Sequence, residues 1–173
     1  VDGRGAAPFE VILIVLDHVP EDARIAAGDT VNAVLVAGGD PEHFDLVGIT
    51  VSTFTSERAY AMADRFRAKG AKVVMGGPHP SLLPEECLGH ADAVVVGEAD
   101  EVWPQVVADA EAGRMRGIYR GDRPVDLAKL KPPRLDLLDT SRYFPLYPIE
   151  ATRGCTHACS FCSTRYVHGL GFR

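Results

Sequence analysis

Short β-branched apolar runs alternate with stretches of helical spacing from about residue 9 to residue 112 of this chain. No other feature constrains the fold as much. A parallel strand buried on both faces needs a continuous apolar run, and joining it to the next strand needs a crossover. Residues 9–16 are the first strand candidate; their core, Val11-Ile12-Leu13-Ile14-Val15-Leu16, ends at Asp17-His18. Residues 31–37 form a second apolar run, too short to assign to strand or helix. Residues 46–53, Leu-Val-Gly-Ile-Thr-Val-Ser-Thr, read as a buried strand. In residues 56–69, Ala59, Met62, Ala63 and Phe66 fall at i, i+3, i+4 and i+7, one apolar face of a helix. Ser56 is the expected N-cap and Gly70 the expected stop.

Residues 71–75 predict a strand running into Gly76-Gly77-Pro78-His79-Pro80, and a short helix is expected around 82–88. Ala93-Val94-Val95-Val96-Gly97 predicts a further buried strand. Asp100 is placed to cap a helix carrying Val102, Trp103, Val106, Val107 and Ala110 on one side. Pro104 fits its first turn, where amide donors have no intrahelical partner, and Gly113 ends it. Ile118-Tyr119-Arg120 is a short strand candidate. Beyond it the texture changes. Prolines at 124, 132, 133, 145 and 148 mark residues 122–148 as an extended linker. Residues 149–152 predict one more strand, leading into a cysteine loop. The expected fold class is therefore α/β, with a Rossmann-like parallel sheet over residues 1–121, the linker, and the start of a second unit over 149–173.

Composition excludes several function classes. A net charge of −6 offers no basic footprint for nucleic acid, so no nucleic-acid partner is expected. No apolar run approaches the ~18 residues that a membrane span requires, and no membrane partner is expected. Val1-Asp2-Gly3-Arg4-Gly5 lacks the charged-then-apolar layout of a signal peptide, which predicts a cytoplasmic protein. Of the 4 cysteines, Cys155, Cys159 and Cys162 lie within eight residues, a crowding that favours a metal site over a disulfide framework. Cys87 stands alone and is expected to be a half-buried structural thiol.

The cysteine stretch reads Cys155-Thr-His-Ala-Cys159-Ser-Phe-Cys162, a C-x3-C-x2-C spacing. Thiolates are the soft ligands of iron–sulfur clusters, and three on one loop can hold three corners of a cubane while leaving one iron open. Zinc is the competing reading, with His157 or His168 as a fourth ligand. Thr152-Arg153-Gly154-Cys155 after an apolar strand, with Phe161 just before the last cysteine, resembles the radical S-adenosylmethionine (SAM) superfamily. That resemblance implies a 4Fe-4S cluster on Cys155, Cys159 and Cys162. It further implies SAM chelating the open iron and cleaved by one electron to a 5′-deoxyadenosyl radical, with Phe161 beside the adenine. An electron donor such as flavodoxin or ferredoxin and a small-molecule substrate are the partners it implies. His157 and Ser160 read as surface residues, and Arg165, Tyr166, His168 and Arg173 receive no role.

The α/β part resembles the cobalamin-binding domain that precedes the barrel in class B radical SAM enzymes. The resemblance rests on Asp45-Leu-Val-Gly-Ile-Thr-Val-Ser, Val73-Val-Met-Gly-Gly-Pro-His-Pro and Ala91-Asp-Ala-Val-Val-Val-Gly-Glu98. In an open parallel sheet, ligands sit beyond the carboxyl ends of the strands. Ser52, Thr53, Gly76, Gly77, Gly97 and Glu98 stand at such ends and are the expected cobalamin contacts. Glycines admit a bulky ligand, and hydroxyls can bond its polar groups. The Asp-x-His-x-x-Gly motif of cobalamin-dependent mutases is absent, as is usual for the radical SAM branch. Only about thirty residues separate Leu16 from Leu46, where the family carries an extra helix and a longer loop. A domain that no longer holds cobalamin is thus a competing reading.

The chain stops eleven residues after Cys162, whereas a radical SAM barrel needs several more βα units of about 30 residues each. The expectation is the N-terminal fragment of a cobalamin-dependent radical SAM enzyme of methyltransferase type, inactive alone. The alternatives are a radical SAM enzyme of another reaction type and a non-catalytic Rossmann-like binding module.

Overall fold

The computed structural model describes residues 44–121, 124–130 and 150–173, together with the backbone of residues 11–15. Both Asp17-His18 and the apolar run at 31–37 lie outside the described residues, as do residues 122–123 and 131–148 of the linker and residue 149, the first of the strand expected at 149–152.

Five parallel strands form one sheet: β1 (Val11–Val15), β2 (Leu46–Thr50), β3 (Lys72–Gly76), β4 (Ala93–Val96) and β5 (Gly117–Arg120). Their spatial order is β1-β2-β3-β4-β5, so each described strand pairs with its neighbour in sequence. Register runs from Val11 opposite Leu46 through Val47 opposite Val73, Met75 opposite Val94 and Val95 opposite Tyr119. The apolar runs expected from sequence are therefore the strands. β2 and β4 stop short of their runs at the carboxyl end, β3 is shifted by one residue, and β5 begins one residue before its candidate. The strand expected at 46–53 stops at Thr50, because residues Thr53–Thr55 turn into a 3-10 helix.

Successive residues of a strand face opposite sides, which divides the core in two. Val47, Ile49, Val73, Met75 and Val94 pack on one side with Ala59, Ala63 and Phe66 of α1 (Ser56–Ala68) and with Cys87. Leu46, Val74, Ala93 and Val95 pack on the other side with Val106, Val107 and Ala110 of α4 (Trp103–Glu111). Both helical faces are those that the spacing predicted, with Met62, Val102 and Trp103 partly buried at their margins. Fully burying a Val or Ile side chain contributes about 1.5–3 kcal/mol, so this two-sided core is what holds the sheet between its helices.

The connection from β3 to β4 differs from expectation. In place of one helix around 82–88 there are two short ones, α2 (Pro78–Leu82) and α3 (Pro84–Leu88). Pro84 causes the split: it cannot supply the amide that would continue α2, but it fits the first turn of a new helix. Two caps also differ. Ser56 lies inside α1, its hydroxyl bonded to Thr53 O at 3.0 Å, while Ser52 and Thr55 form a capping box on the preceding 3-10 helix. Asp100 does not cap α4; its carboxylate accepts from Arg153 at 2.8 Å. Cys87 is fully buried, not half-buried, and burial pushes its thiol pKa up. Among the described residues no helix is long and apolar enough to cross a membrane.

Candidate cofactor edge and cysteine loop

The carboxyl ends of β2, β3 and β4 come together as one continuous edge. Val51 N–H donates to Gly76 O at 2.8 Å, and His79 N–H donates to Val51 O at 3.1 Å. Gly77 has φ +99°, and a Cβ there would lie 3.1 Å from Thr50 Cγ2 and from Val51 O, so only glycine lets β3 turn beside β2. Ser81 ties the next pair of ends: its hydroxyl donates to Gly77 O at 2.7 Å and accepts from Gly97 N–H at 3.0 Å. Ser52, Thr53, Gly76, Gly77, Gly97 and Glu98 thus share one edge, as the spacing implied. Ser81, which holds two of these ends together, carried no sequence signal beyond its place after Gly-Gly-Pro-His-Pro.

Along this edge the ends are unequally open. At β2 Thr53 is exposed and Phe54 is fully exposed. At β4 the C-terminal segment covers the edge: Val167 O lies 3.6 Å from where a Gly97 Cβ would stand. A cavity of about 290 Å³ lies between the ends of β4 and β5 and the helix α5 (Thr164–His168), lined by Gly97, Glu98, Arg120, Tyr166 and His168 among others.

Behind the β2 end sits a polar cluster that sequence reading missed. His79 is buried (4% exposed) and its Nε2 lies 2.8 Å from the Tyr60 hydroxyl, while its Nδ1 lies 3.4 Å from Thr53 Oγ1. Tyr60 donates to Glu86 Oε1 at 2.7 Å and stacks on His90 with ring centroids 4.3 Å apart. Burial, and then the bonds to Cys87 and Glu86, push the Tyr60 hydroxyl far above the usual phenol range. Among the described residues every buried side-chain nitrogen and oxygen has a hydrogen-bond partner.

The cysteine loop is closed at its base. Arg153 and Arg173 exchange both backbone bonds, N–H to O at 3.2 and 3.0 Å, and Gly171 N–H donates to Cys155 O at 3.1 Å. Gly154 makes this stem possible: its φ is +91°, and a Cβ would run into the Gly171 carbonyl oxygen. Residues 150–152, expected as strand, belong to no strand, and the loop's pairing is an isolated bridge between Cys155 and Leu170. The reason is local. The backbone groups just after 152 pair back onto residues 171–173.

Cys155 sits on the stem, while Cys159 and Phe161 are exposed at the tip, Phe161 by 90%. All four cysteines are free. Thr164, through its hydroxyl at 3.3 Å and its backbone N–H, lowers the Cys162 pKa and so favours a thiolate ligand. Among the described residues no three His, Cys, Asp or Glu side chains converge as a ready-made cage. The donor set nonetheless fits a soft metal cluster: three thiols free of disulfides on one loop, one of them biased towards thiolate. His157 is exposed, as expected, and its backbone N–H lies 3.4 Å from the Cys155 sulfur.

Glu98 stands apart from the other edge residues. Its side chain is 6% exposed, and it accepts from Arg173 at 2.6 and 2.9 Å, from His168 at 2.9 Å and from Val125 N–H at 3.1 Å. Burial alone would raise its pKa, but these bonds outweigh burial and hold it down at about 2. Val125, in the stretch read as linker, is itself buried.

A parallel α/β sheet with a glycine-lined carboxyl edge and a thiol-rich loop beside it defines a cofactor-binding domain of the Rossmann-like class. Residues 7–107 match the B12-binding domain family, and the chain belongs to that family. It is 39% identical over 139 residues to bacteriochlorophyllide d C-8(2)-methyltransferase of Chlorobaculum tepidum, covering 75% of this chain and 30% of that protein. It is 36% identical over 134 residues to the same organism's bacteriochlorophyllide d C-12(1)-methyltransferase, covering 75% and 29%. An uncharacterised methyltransferase of Pyrococcus horikoshii is 31% identical over 183 residues, covering 92% of this chain and 38% of that protein. The chain therefore spans about a third of the length of these relatives.

Proposed function

We propose that this chain is the cobalamin-binding and cluster-binding front part of a radical SAM enzyme of methyltransferase type. The observation that carries the proposal is that the segment bearing the three cysteines rests, through α5, on the carboxyl edge of a B12-binding-family sheet. Cobalamin would sit on the open part of that edge, over Ser52, Thr53, Gly76 and Gly77, with the Gly97 turn at its margin. Cys155, Cys159 and Cys162 would hold three irons of a 4Fe-4S cluster, SAM would take the fourth, and Phe161 would lie beside its adenine. When bound, the two cofactors supply a transferable methyl group and a means of activating an unreactive substrate carbon. The chain's own residues bind and orient. The edge glycines let a large ring approach, and the closed stem sets the distance of the thiols from the sheet. The similarity to named methyltransferases supports the reaction type; substrate, electron donor and cellular location are part of the proposal and follow the expectations set out above.

Two measurements test it. Hydroxocobalamin should co-elute with the protein on gel filtration at micromolar concentration, and failure to co-elute would remove cobalamin. Anaerobic reconstitution with iron and sulfide should load iron onto the chain but not onto a variant with Cys155, Cys159 and Cys162 all changed to Ala. After reduction the loaded protein should give a paramagnetic signal that changes on adding SAM. Zinc retained in place of iron would overturn the cluster assignment.

A further inference from the structure

We propose that Glu98 is a docking residue, the centre of an ionic clamp that holds the cysteine loop against the sheet, and not a contact for the cofactor. A carboxylate offers roughly four lone-pair sites. Four bonds occupy those of Glu98: Arg173 and His168 on Oε1 at 2.6 and 2.9 Å, and Arg173 and Val125 N–H on Oε2 at 2.9 and 3.1 Å. Arg153 Nη1 stands a further 3.6 Å from Oε1. Nothing remains for a ligand hydroxyl or amide.

Every side-chain partner comes from the segment that carries the cysteines. Arg153 lies two residues before Cys155, His168 ends α5, and Arg173 faces Arg153 across the stem. The clamp is cross-braced. Arg173 also donates to Val125 O at 2.8 Å and to His168 O at 3.1 Å, and Arg153 to Asp100 and Glu150, each at 2.8 Å. Glu98 and Asp100 follow the Gly97 turn at the end of β4, so the end of β4 supplies two of the acids, and the loop segment supplies the bases together with Glu150. Bidentate pairing with arginine fixes angle as well as distance. An apolar contact would allow the loop to slide over the edge; this one sets a single register. Its consequence for catalysis rests on the cofactor reading proposed above, but the clamp itself needs neither cofactor.

Hydrogen exchange on the 173-residue chain, free of iron and cobalamin, tests it with a double-mutant cycle of Glu98→Gln and Arg173→Gln. Either single change should speed exchange about tenfold or more at Gly171, Arg173 and the amides of α5, since charge-assisted bonds are lost. Amides of β2, β3 and β4 should keep their rates. The acceleration in the double variant should fall well short of the product of the single ones, because the bonds between these two side chains are lost in both. Unchanged exchange in the single variants, multiplied effects in the double variant, or equal acceleration of the sheet amides would each overturn the clamp. If Glu98→Gln fails to fold, Asp100→Asn serves instead. A few-fold acceleration of the same loop amides supports the clamp, and none counts against it. Failed cofactor binding leaves this result untouched, and a failed clamp leaves the cofactor assignments standing.

Discussion

Glu98 and Gly154 show how single residues decide the geometry of the loop. The Glu98 pKa sits at about 2 instead of the usual 4.5, so the carboxylate is stabilised wherever it is ionised in both folded and unfolded chain. That contribution is fully present above pH 4.5 and is lost as pH falls from there through about 2. At about 1.4 kcal/mol per unit it is at most about 3 kcal/mol. Arg153, Arg173 and Asp100 are the charged groups facing or bracing it, and the titratable His168 imidazole bonds it directly. Urea denaturation should show the wild type losing this stability between pH 5 and pH 2.5, and Glu98→Gln losing markedly less over the same interval. At Gly154 a side chain meets both a left-handed backbone and the Gly171 carbonyl. Gly154→Ala should open the stem, costing about 1–3 kcal/mol locally, seen as lost exchange protection at Gly171 and Arg173 with the sheet unaffected. Tyr60→Phe removes the hydroxyl that bridges His79 and Glu86. It should destabilise the fold by about 1–3 kcal/mol in urea denaturation.

Elements were legible where packing and local pattern agree. The face of α1 follows directly from Ala59, Ala63 and Phe66, and β2, β3 and β4 from their apolar runs, because the middle of each strand is buried on both faces. Caps were less legible. Ser56 and Asp100 are both good N-cap residues, yet the real helix starts are set by a 3-10 turn before α1 and by Val102 before α4. A cap is worth about 1 kcal/mol, and an ion pair with Arg153 outbids it at Asp100. The two-helix path between β3 and β4 was written in Pro84, a signal present in the sequence and not weighed there. Met75 in β3 is wholly buried against α1 and α3 neighbours. Met75→Ala should cost about 2–5 kcal/mol in urea denaturation through the cavity it leaves.

At the scale of the whole molecule, the sheet's carboxyl edge and the cysteine loop form one surface from residues far apart in the chain. The edge residues Ser52, Thr53, Gly76, Gly77 and Gly97 could be named from sequence, since strand ends are marked by where the apolar runs stop. That Glu98 faces the loop and not solvent could not. Its partners stand 70 and 75 residues away, and acids and bases in a sequence carry no mark of which will pair. His79 escaped for the same reason: its partner Tyr60 lies on another element, 19 residues earlier.

Period and chemistry were thus local properties: apolar runs determined a parallel α/β sheet, and three thiols within eight residues marked a candidate soft-metal loop. Position was not. Where that loop rests and which carboxylate anchors it depend on contacts across more than fifty residues, and the burial of His79 on partners 19 and 26 residues away; only the folded chain brings such groups within bonding distance.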